Sequence, residues 1–176
     1  MKNKAFTLIE LLVVVLIIGI LAAIAVPKYQ LAILKAELHK GIPIVESLYQ
    51  AQQAYFLTHG DFAKNVDDLD ISIPIDSSCT KKQSSTYSRY TCSNGIIGMG
   101  SGLASVMFQD LNSNIAYVHY LIDKEHMDKS GTFKAGNKYC MANNNNSNAI
   151  KACEQIGGEL EFKNLSKTNW VFYKIN

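Results

Sequence analysis

The stretch Phe6-Thr7-Leu8-Ile9-Glu10-Leu11-Leu12-Val13-Val14-Val15-Leu16-Ile17-Ile18-Gly19-Ile20-Leu21-Ala22-Ala23-Ile24-Ala25-Val26-Pro27 decides how this chain is read. From Phe6 to Val26 only Thr7 and Glu10 are polar. At ~1.5 Å per residue such a helix crosses a hydrocarbon core of ~30 Å. Met1 to Ala5 precede it, and Lys2 and Lys4 resist crossing a membrane, which orients the helix that follows. Ala22-Ala23-Ile24-Ala25 imitates the small-residue cleavage site of an ordinary signal peptide, so removal there is a rival reading. Glu10 weighs against it. A carboxylate inside an apolar span costs about 2.5–3.5 kcal/mol. It either snorkels to water at the membrane edge or awaits a cationic partner.

Downstream, Leu31, Leu34, Leu38, Ile42, Val45, Leu48 and Tyr55 recur at helical spacing and make one apolar stripe. The periodicity predicts a single helix from Thr7 to about Thr58, ended by His59-Gly60. At the standard rise it is roughly 78 Å long. A helix of that length makes sense if its first half packs among other chains and only its second half packs on its own domain. Pro27 and Pro43 interrupt the donor ladder and predict kinks.

Beyond the helix the composition turns to Ser, Asn, Gly and Thr. Strand signals lie at Tyr87–Cys92, Ile115–Ile122 and Trp170–Ile175, with Lys138–Ala142 weaker and Ser105–Leu111 ambiguous. Strands after one helix, with no clear helices between them, predict an antiparallel sheet laid on that helix, an α+β fold. Gly98-Met99-Gly100-Ser101-Gly102 lacks the strand and lysine-bearing helix of a phosphate loop and reads as a turn.

The four cysteines form two local pairs, Cys79 with Cys92 and Cys140 with Cys153. Three connectivities are open. Pairing within each local pair is preferred, because each bridge would staple a Ser- or Asn-rich loop. A zinc site is disfavoured, since no C-x-x-C pair is present. Free core thiols remain the plainest alternative. The acidic residues Asp61, Asp67, Asp68 and Asp70 lack the order of an EF-hand loop and read as solvated. His39, His59, His119 and His126 are scattered with no nucleophile beside them, so no catalytic centre is read. No cofactor or metal motif is present. The formal charge of +2 comes from Lys2 and Lys4, and the remaining 15 basic and 15 acidic residues balance. That argues against a direct nucleic-acid interface and suits the packing of like chains.

The run from Phe6 to Pro27 resembles the amino-terminal segment of type IV pilins and the related pseudopilins. The resemblance covers about 25 residues, and its residue types and spacing agree together. It implies cleavage between Ala5 and Phe6 by a dedicated prepilin peptidase, and N-methylation of the new Phe6 amine. One departure stands at Ala5, where the family usually has glycine. The resemblance makes Glu10 the assembly glutamate, to be met by the Phe6 amine of a neighbouring subunit. It divides the chain into a leader (1–5), a transmembrane and assembly half-helix (6–26), an amphipathic half-helix (27–58) and a head (59–176). The head would hold an αβ-loop over residues 61–75, the sheet, and a disulfide-closed D-region containing Asn143 to Asn146. The implied partners are copies of the chain itself, the prepilin peptidase, an assembly platform and, before assembly, inner-membrane lipid. The implied destination is a surface pilus serving adhesion, motility or DNA uptake. A type II secretion pseudopilin and a tethered periplasmic binding module are the alternatives.

Overall fold

The computed structural model describes residues 7–85, 87–93, 95–100, 105–125, 131–164 and 169–176. One helix sets the architecture. α1 (Leu8–His59) runs for 52 residues and continues through Pro27 and Pro43. Thr7 is its N-cap, in extended conformation, and Gly60 caps the other end at φ 74°, donating to Phe56 O at 2.8 Å.

No residue from Leu8 to Val26 is buried. Higher up, the buried positions are Leu34, Leu38, Gly41, Val45, Leu48 and Gln52, spaced alternately by four and three. That spacing is one stripe on one face. Leu38, Val45 and Leu48 have no exposed surface, and each such side chain contributes about 1.5–3 kcal/mol of apolar burial.

The stripe lies on a sheet. Its strands are β1 (Thr80–Gln83), β2 (Ser88–Thr91), β3 (Gly95–Gly100), β4 (Ser105–Asp110) and β5 (Ile115–Tyr120), followed in sequence by a separate ribbon, β6 (Lys124–Glu125) with β7 (Thr132–Phe133). The sheet is completed by β8 (Lys138–Asn143), β9 (Gly158–Asn164) and β10 (Trp170–Ile175). Its order is β1-β2-β3-β4-β5-β8-β10-β9, and every neighbouring pair is antiparallel. α2 (Ser147–Gln155) sits between β8 and β9 in sequence and packs on α1 and on β8. The architecture is therefore α+β, with a long N-terminal helix on an antiparallel eight-stranded sheet.

α1 meets the Phe108 ring of the sheet at Gly41. A Cβ there would stand 2.0 Å from Cδ1 of Phe108, so only glycine lets that ring lie against the helix backbone. The far face of the sheet carries a second, aromatic core of Val118, Tyr120, Phe133, Tyr139, Phe162 and Phe172. Phe133, brought over by the small ribbon, is its centre, with ring centroids at 4.6 Å from Tyr120 and 5.0 Å from both Tyr139 and Phe172.

Both edges of the sheet are blunted. β1 is exposed along its length and carries Lys81 and Lys82. β9 slips register between Phe172 and Tyr173 of β10, which leaves Glu161 as an extra residue in the edge strand.

The helix and the Trp170–Ile175 strand lie where the sequence places them, and the weak Ser105 and Lys138 signals are central strands. Two readings are corrected. The Gly98 region is no turn: Gly95–Gly100 is a fully buried strand, with Ser101 and Gly102 outside the described residues. A Cβ at Gly98 would stand 2.6 Å from Cα of Arg89, so the glycine answers a close backbone approach between β2 and β3. The interval after β8 is not free of helix either. Asn146 accepts from the N–H groups of Asn148 and Ala149 and starts α2, whose Ala149, Ala152 and Cys153 are buried. The Asn-rich tract before it masks that short apolar period.

Candidate functional site

Two places in the molecule concentrate polar groups against an apolar background: the foot of α1 and the seam between α1 and the sheet.

At the foot, Thr7 and Glu10 form a capping box. Thr7 Oγ1 accepts from the Glu10 N–H at 3.3 Å, while Glu10 Oε2 accepts from the Thr7 N–H at 2.8 Å and from Thr7 Oγ1 at 2.7 Å. The reciprocal pair satisfies donors that a helix start leaves open. Glu10 stands in a run of exposed apolar side chains from Leu8 to Val26. The first buried residue of α1 is Leu34, some 36 Å farther along the axis at the helical rise. Glu10 therefore takes no part in the core of the head. Ala5 and Phe6, the expected cleavage and methylation positions, lie outside the described residues.

Leu8–His59 is also long and apolar enough to cross a membrane, and none of its most apolar window is buried. Pro27 stands one residue past the end of that surface, and Pro43 is exposed beside Ile71–Pro74, with Ser47 Oγ donating to its carbonyl at 2.7 Å.

At the seam, three features hold α1, the loop after it and the sheet together. The buried Gln52 side chain reads both backbone groups of Ala63, accepting its N–H at 2.9 Å and donating to its carbonyl at 3.0 Å. This holds the loop after α1 onto the helix. Ser88 Oγ on β2 accepts from the Val66 N–H at 3.0 Å, and Asp67 binds Lys81 Nζ at 2.6 Å and Tyr90 Oη at 2.7 Å. The hydrogen bond from Lys81, with that from Tyr90 behind it, holds the Asp67 carboxyl below its usual range. The acidic loop is thus tied into β1 and β2 at one of its aspartates. Among the described residues no cluster of three His, Cys, Asp or Glu side chains could hold a metal ion.

The third feature is centred on Glu46. Its Oε1 accepts from Tyr117 Oη at 2.8 Å and lies 3.3 Å from His119 Nδ1; its Oε2 lies 3.3 Å from Lys138 Nζ. His119 is buried, stacked on Tyr49 at 3.5 Å between centroids, with Nε2 3.1 Å from the Gly136 carbonyl. Burial pushes the His119 imidazole down; Glu46 opposes the shift and Lys138 adds to it. Burial, followed by the bond to Glu46, drives the Tyr117 phenol far up. On the far face, burial pushes Tyr139 up to about 12. The Glu46 contacts join α1 to β5 and β8.

The structure joins Cys79 to Cys92 and Cys140 to Cys153. The second bond has no exposed surface and ties α2 to β8; the first is half-buried beside β1. His59 stacks on Tyr55 at the top of α1, and His39 is exposed. Beside His59, a groove of about 600 Å³ opens to solvent between α1 and Asp68–Ile71. Its walls mix Ala51, Ala54 and Tyr55 with Gln50, Asp68 and Asp70. Sequence reasoning does not find Gln52 or the Glu46 cluster. The partners of Glu46 lie 71 or more positions away, and no local pattern carries them.

The family described as the prokaryotic N-terminal methylation motif matches residues 1–26. The chain is 39% identical over 72 residues to a type IV major pilin protein of Neisseria gonorrhoeae, covering 41% of this chain and 44% of that one. It is 44% identical over 63 residues to a fimbrial protein of Neisseria meningitidis serogroup A, covering 36% and 37%. A type IV major pilin protein of Myxococcus xanthus is 40% identical over 68 residues, covering 37% and 31%. The chain thus spans about two fifths of the length of the first curated relatives it matches. No solved structure matches it.

Proposed function

We propose that this chain is the membrane-anchored precursor of a structural subunit of a type IV pilus, and that α1 is the element through which it assembles. The observation that carries the reading is the first half of α1: apolar on every side, buried by nothing among the described residues, and interrupted only by Glu10. Such a surface is stable either in lipid or among copies of itself. The similarity to type IV pilins and the methylation motif at residues 1–26 support the same reading.

In this proposal a prepilin peptidase cuts between Ala5 and Phe6 on the cytoplasmic side and the new Phe6 amine is methylated. The amine of an incoming subunit meets Glu10 of its neighbour on the assembly platform. The contact joins two charges that are both costly in an apolar setting, and it fixes axial register. Loss of one partner from such a pair costs ~3–5 kcal/mol. Pro27 and Pro43 are the points where α1 bends or loses helicity within the fibre. The head, with its sheet and two disulfides, forms the outer surface, and adhesion, motility or DNA uptake belongs to the fibre rather than to a catalytic site. The subunit passes from the inner membrane to the cell surface.

Electron microscopy of sheared surface filaments, with intact-mass analysis of their main component, tests this. The expected product begins at a methylated Phe6. Filaments lacking this chain, or a chain beginning near Val26, would overturn the proposal in favour of a tethered periplasmic module.

A further inference from the structure

The geometry points to a second membrane contact: the first turn of α2, with Lys28 and Tyr29 beside it, rests in the phospholipid headgroup layer and sets the depth to which α1 is inserted. This rests on the membrane-anchored reading of α1 given above.

The exposed apolar run ends at Val26. Gln30 is four residues farther, ~6 Å along the axis. A hydrocarbon core of ~30 Å lies inside a bilayer of ~40–45 Å, so each interfacial layer is about 5–7 Å deep. When the apolar run fills the core, Gln30 stands at headgroup height. Asn148 Nδ2 donates to Gln30 Oε1 at 3.3 Å. That bond brings the second residue of α2 to the same height. The head is therefore not suspended above the bilayer on a bare stretch of helix; its lower rim begins within the interface.

The side chains at this height suit that layer. Tyr29 is 67% exposed, and an exposed tyrosine at the end of a spanning helix has an apolar ring for the acyl boundary and a hydroxyl for the headgroups. Lys28 is exposed, on a stem long enough to reach lipid phosphate. On the α2 side, Asn145 and Ser147 are exposed and uncharged; they can bond phosphate and ester oxygens with no charge to desolvate. The rim is also rigid. Asn146 Nδ2 donates to the Ser113 carbonyl at 2.8 Å, and the buried Cys140–Cys153 bond ties α2 to β8. A fixed rim converts contact with the headgroups into a fixed depth for Glu10.

The test uses the full chain in vesicles of phosphatidylethanolamine and phosphatidylglycerol, with a nitroxide on one added cysteine at a time. All four native cysteines are in disulfides, so the label goes to Leu16→Cys, Ser147→Cys or Leu57→Cys. Collision with oxygen and with a water-soluble nickel chelate reports depth. The Leu16→Cys label is expected to be rich in oxygen and closed to the chelate. The Leu57→Cys label, ~40 Å above Gln30, is expected to be fully open to the chelate. Ser147→Cys should be shielded several-fold relative to Leu57→Cys. Adding Lys28→Glu should restore chelate access at Ser147→Cys in these anionic vesicles and leave it unchanged in phosphatidylcholine. A Ser147→Cys label as open as Leu57→Cys, with Leu16→Cys still shielded, overturns the headgroup contact alone. A Leu16→Cys label open to the chelate overturns the membrane reading itself. Equal effects of Lys28→Glu in both lipids overturn the part assigned to Lys28.

Discussion

The two halves of α1 are one continuous helix with opposite surfaces. From Leu8 to Val26 nothing is buried; from Leu34 to Gln52 one side of every turn is sealed against the sheet. Both are α-helical, although Pro27 and Pro43 remove two donors from the ladder of the upper half. What differs is the partner. The upper half has its partner in its own chain, so its buried apolar residues recur with a helical period, and charged and polar residues share the rest of its surface with a few exposed apolar ones such as Ile33 and Leu57. The lower half has no partner among the described residues and is apolar all round, as a helix surrounded by lipid or by other helices must be. In that half a single carboxylate stands out, whereas in the upper half Glu46 is one charged group among several.

The comparison is broken most severely at Glu10. Glu10→Ala is expected to abolish or strongly reduce filaments while the head stays folded, because ~36 Å of helix separates Glu10 from the first core residue. A neighbour's amine would then be buried without its partner, at ~3–5 kcal/mol per contact. Glu10→Gln separates charge from shape. Filament counts beside membrane-fraction immunoblots read the result, and filament numbers in the Ala variant equal to those of the parent chain would refute the pairing.

A matched pair of truncations sharpens the contrast within the helix. Leu38→Ala should destabilise the head by ~2–5 kcal/mol, whereas Leu16→Ala should change it by less than about 0.5 kcal/mol. Urea unfolding of the detergent-solubilised chain, followed by near-ultraviolet circular dichroism, measures both. Equal effects would mean that the head depends on the lower half.

The same contrast between sealed and open applies to the disulfides. Each closes a short loop, at ~3 kcal/mol in the chain-entropy model. The half-buried Cys79–Cys92 bond should yield to a mild reductant well before Cys140–Cys153, which has no exposed surface. Timed alkylation with peptide mapping gives the order, and simultaneous reduction would contradict it.

The smallest effect lies at His119. Its pKa is lowered in the folded head, chiefly by burial. As pH falls below the ordinary histidine value of ~6.5, the unfolded chain takes up the proton first and stability is lost; above that value the contribution is fully present. The unfolding midpoint of the parent should therefore drop between neutral and mildly acid pH more than that of His119→Gln. A parent that gains stability relative to the variant would show that Glu46 outweighs burial.

How much of this is legible in the sequence follows the range of the interactions. α1 is local, and its cap at Thr7, its stripe and Gly60 lie within a few residues of what they control. The strand at Trp170–Ile175 is a β-branched and aromatic run that announces itself. β3 does not, because its glycines answer the approach of a neighbouring strand, and Gly98 meets Arg89 only in the folded sheet. α2 is short, and four asparagines hide its start, although Asn146 followed by Ala149, Ile150 and Cys153 carries a helical spacing. At the candidate site Glu10 is legible because it breaks an apolar run. Gln52 is not, since a glutamine at a core position of the stripe gains its meaning only from the backbone of Ala63. The contact between Asn148 and Gln30 joins residues 118 positions apart.

The blunted edges of the sheet have a consequence for the packing of heads in the proposed fibre. Open strand edges invite a neighbouring chain to continue the hydrogen-bond ladder, and crowding multiplies the opportunity. Here a neighbour meeting β1 would have to desolvate Lys81 and Lys82, and one meeting β9 would find its ladder out of step at Glu161. Heads pressed side by side in the proposed fibre therefore remain separate folding units. Cohesion is left to the helices, and the crowded surface keeps the reversibility that fusion of one sheet into the next would remove.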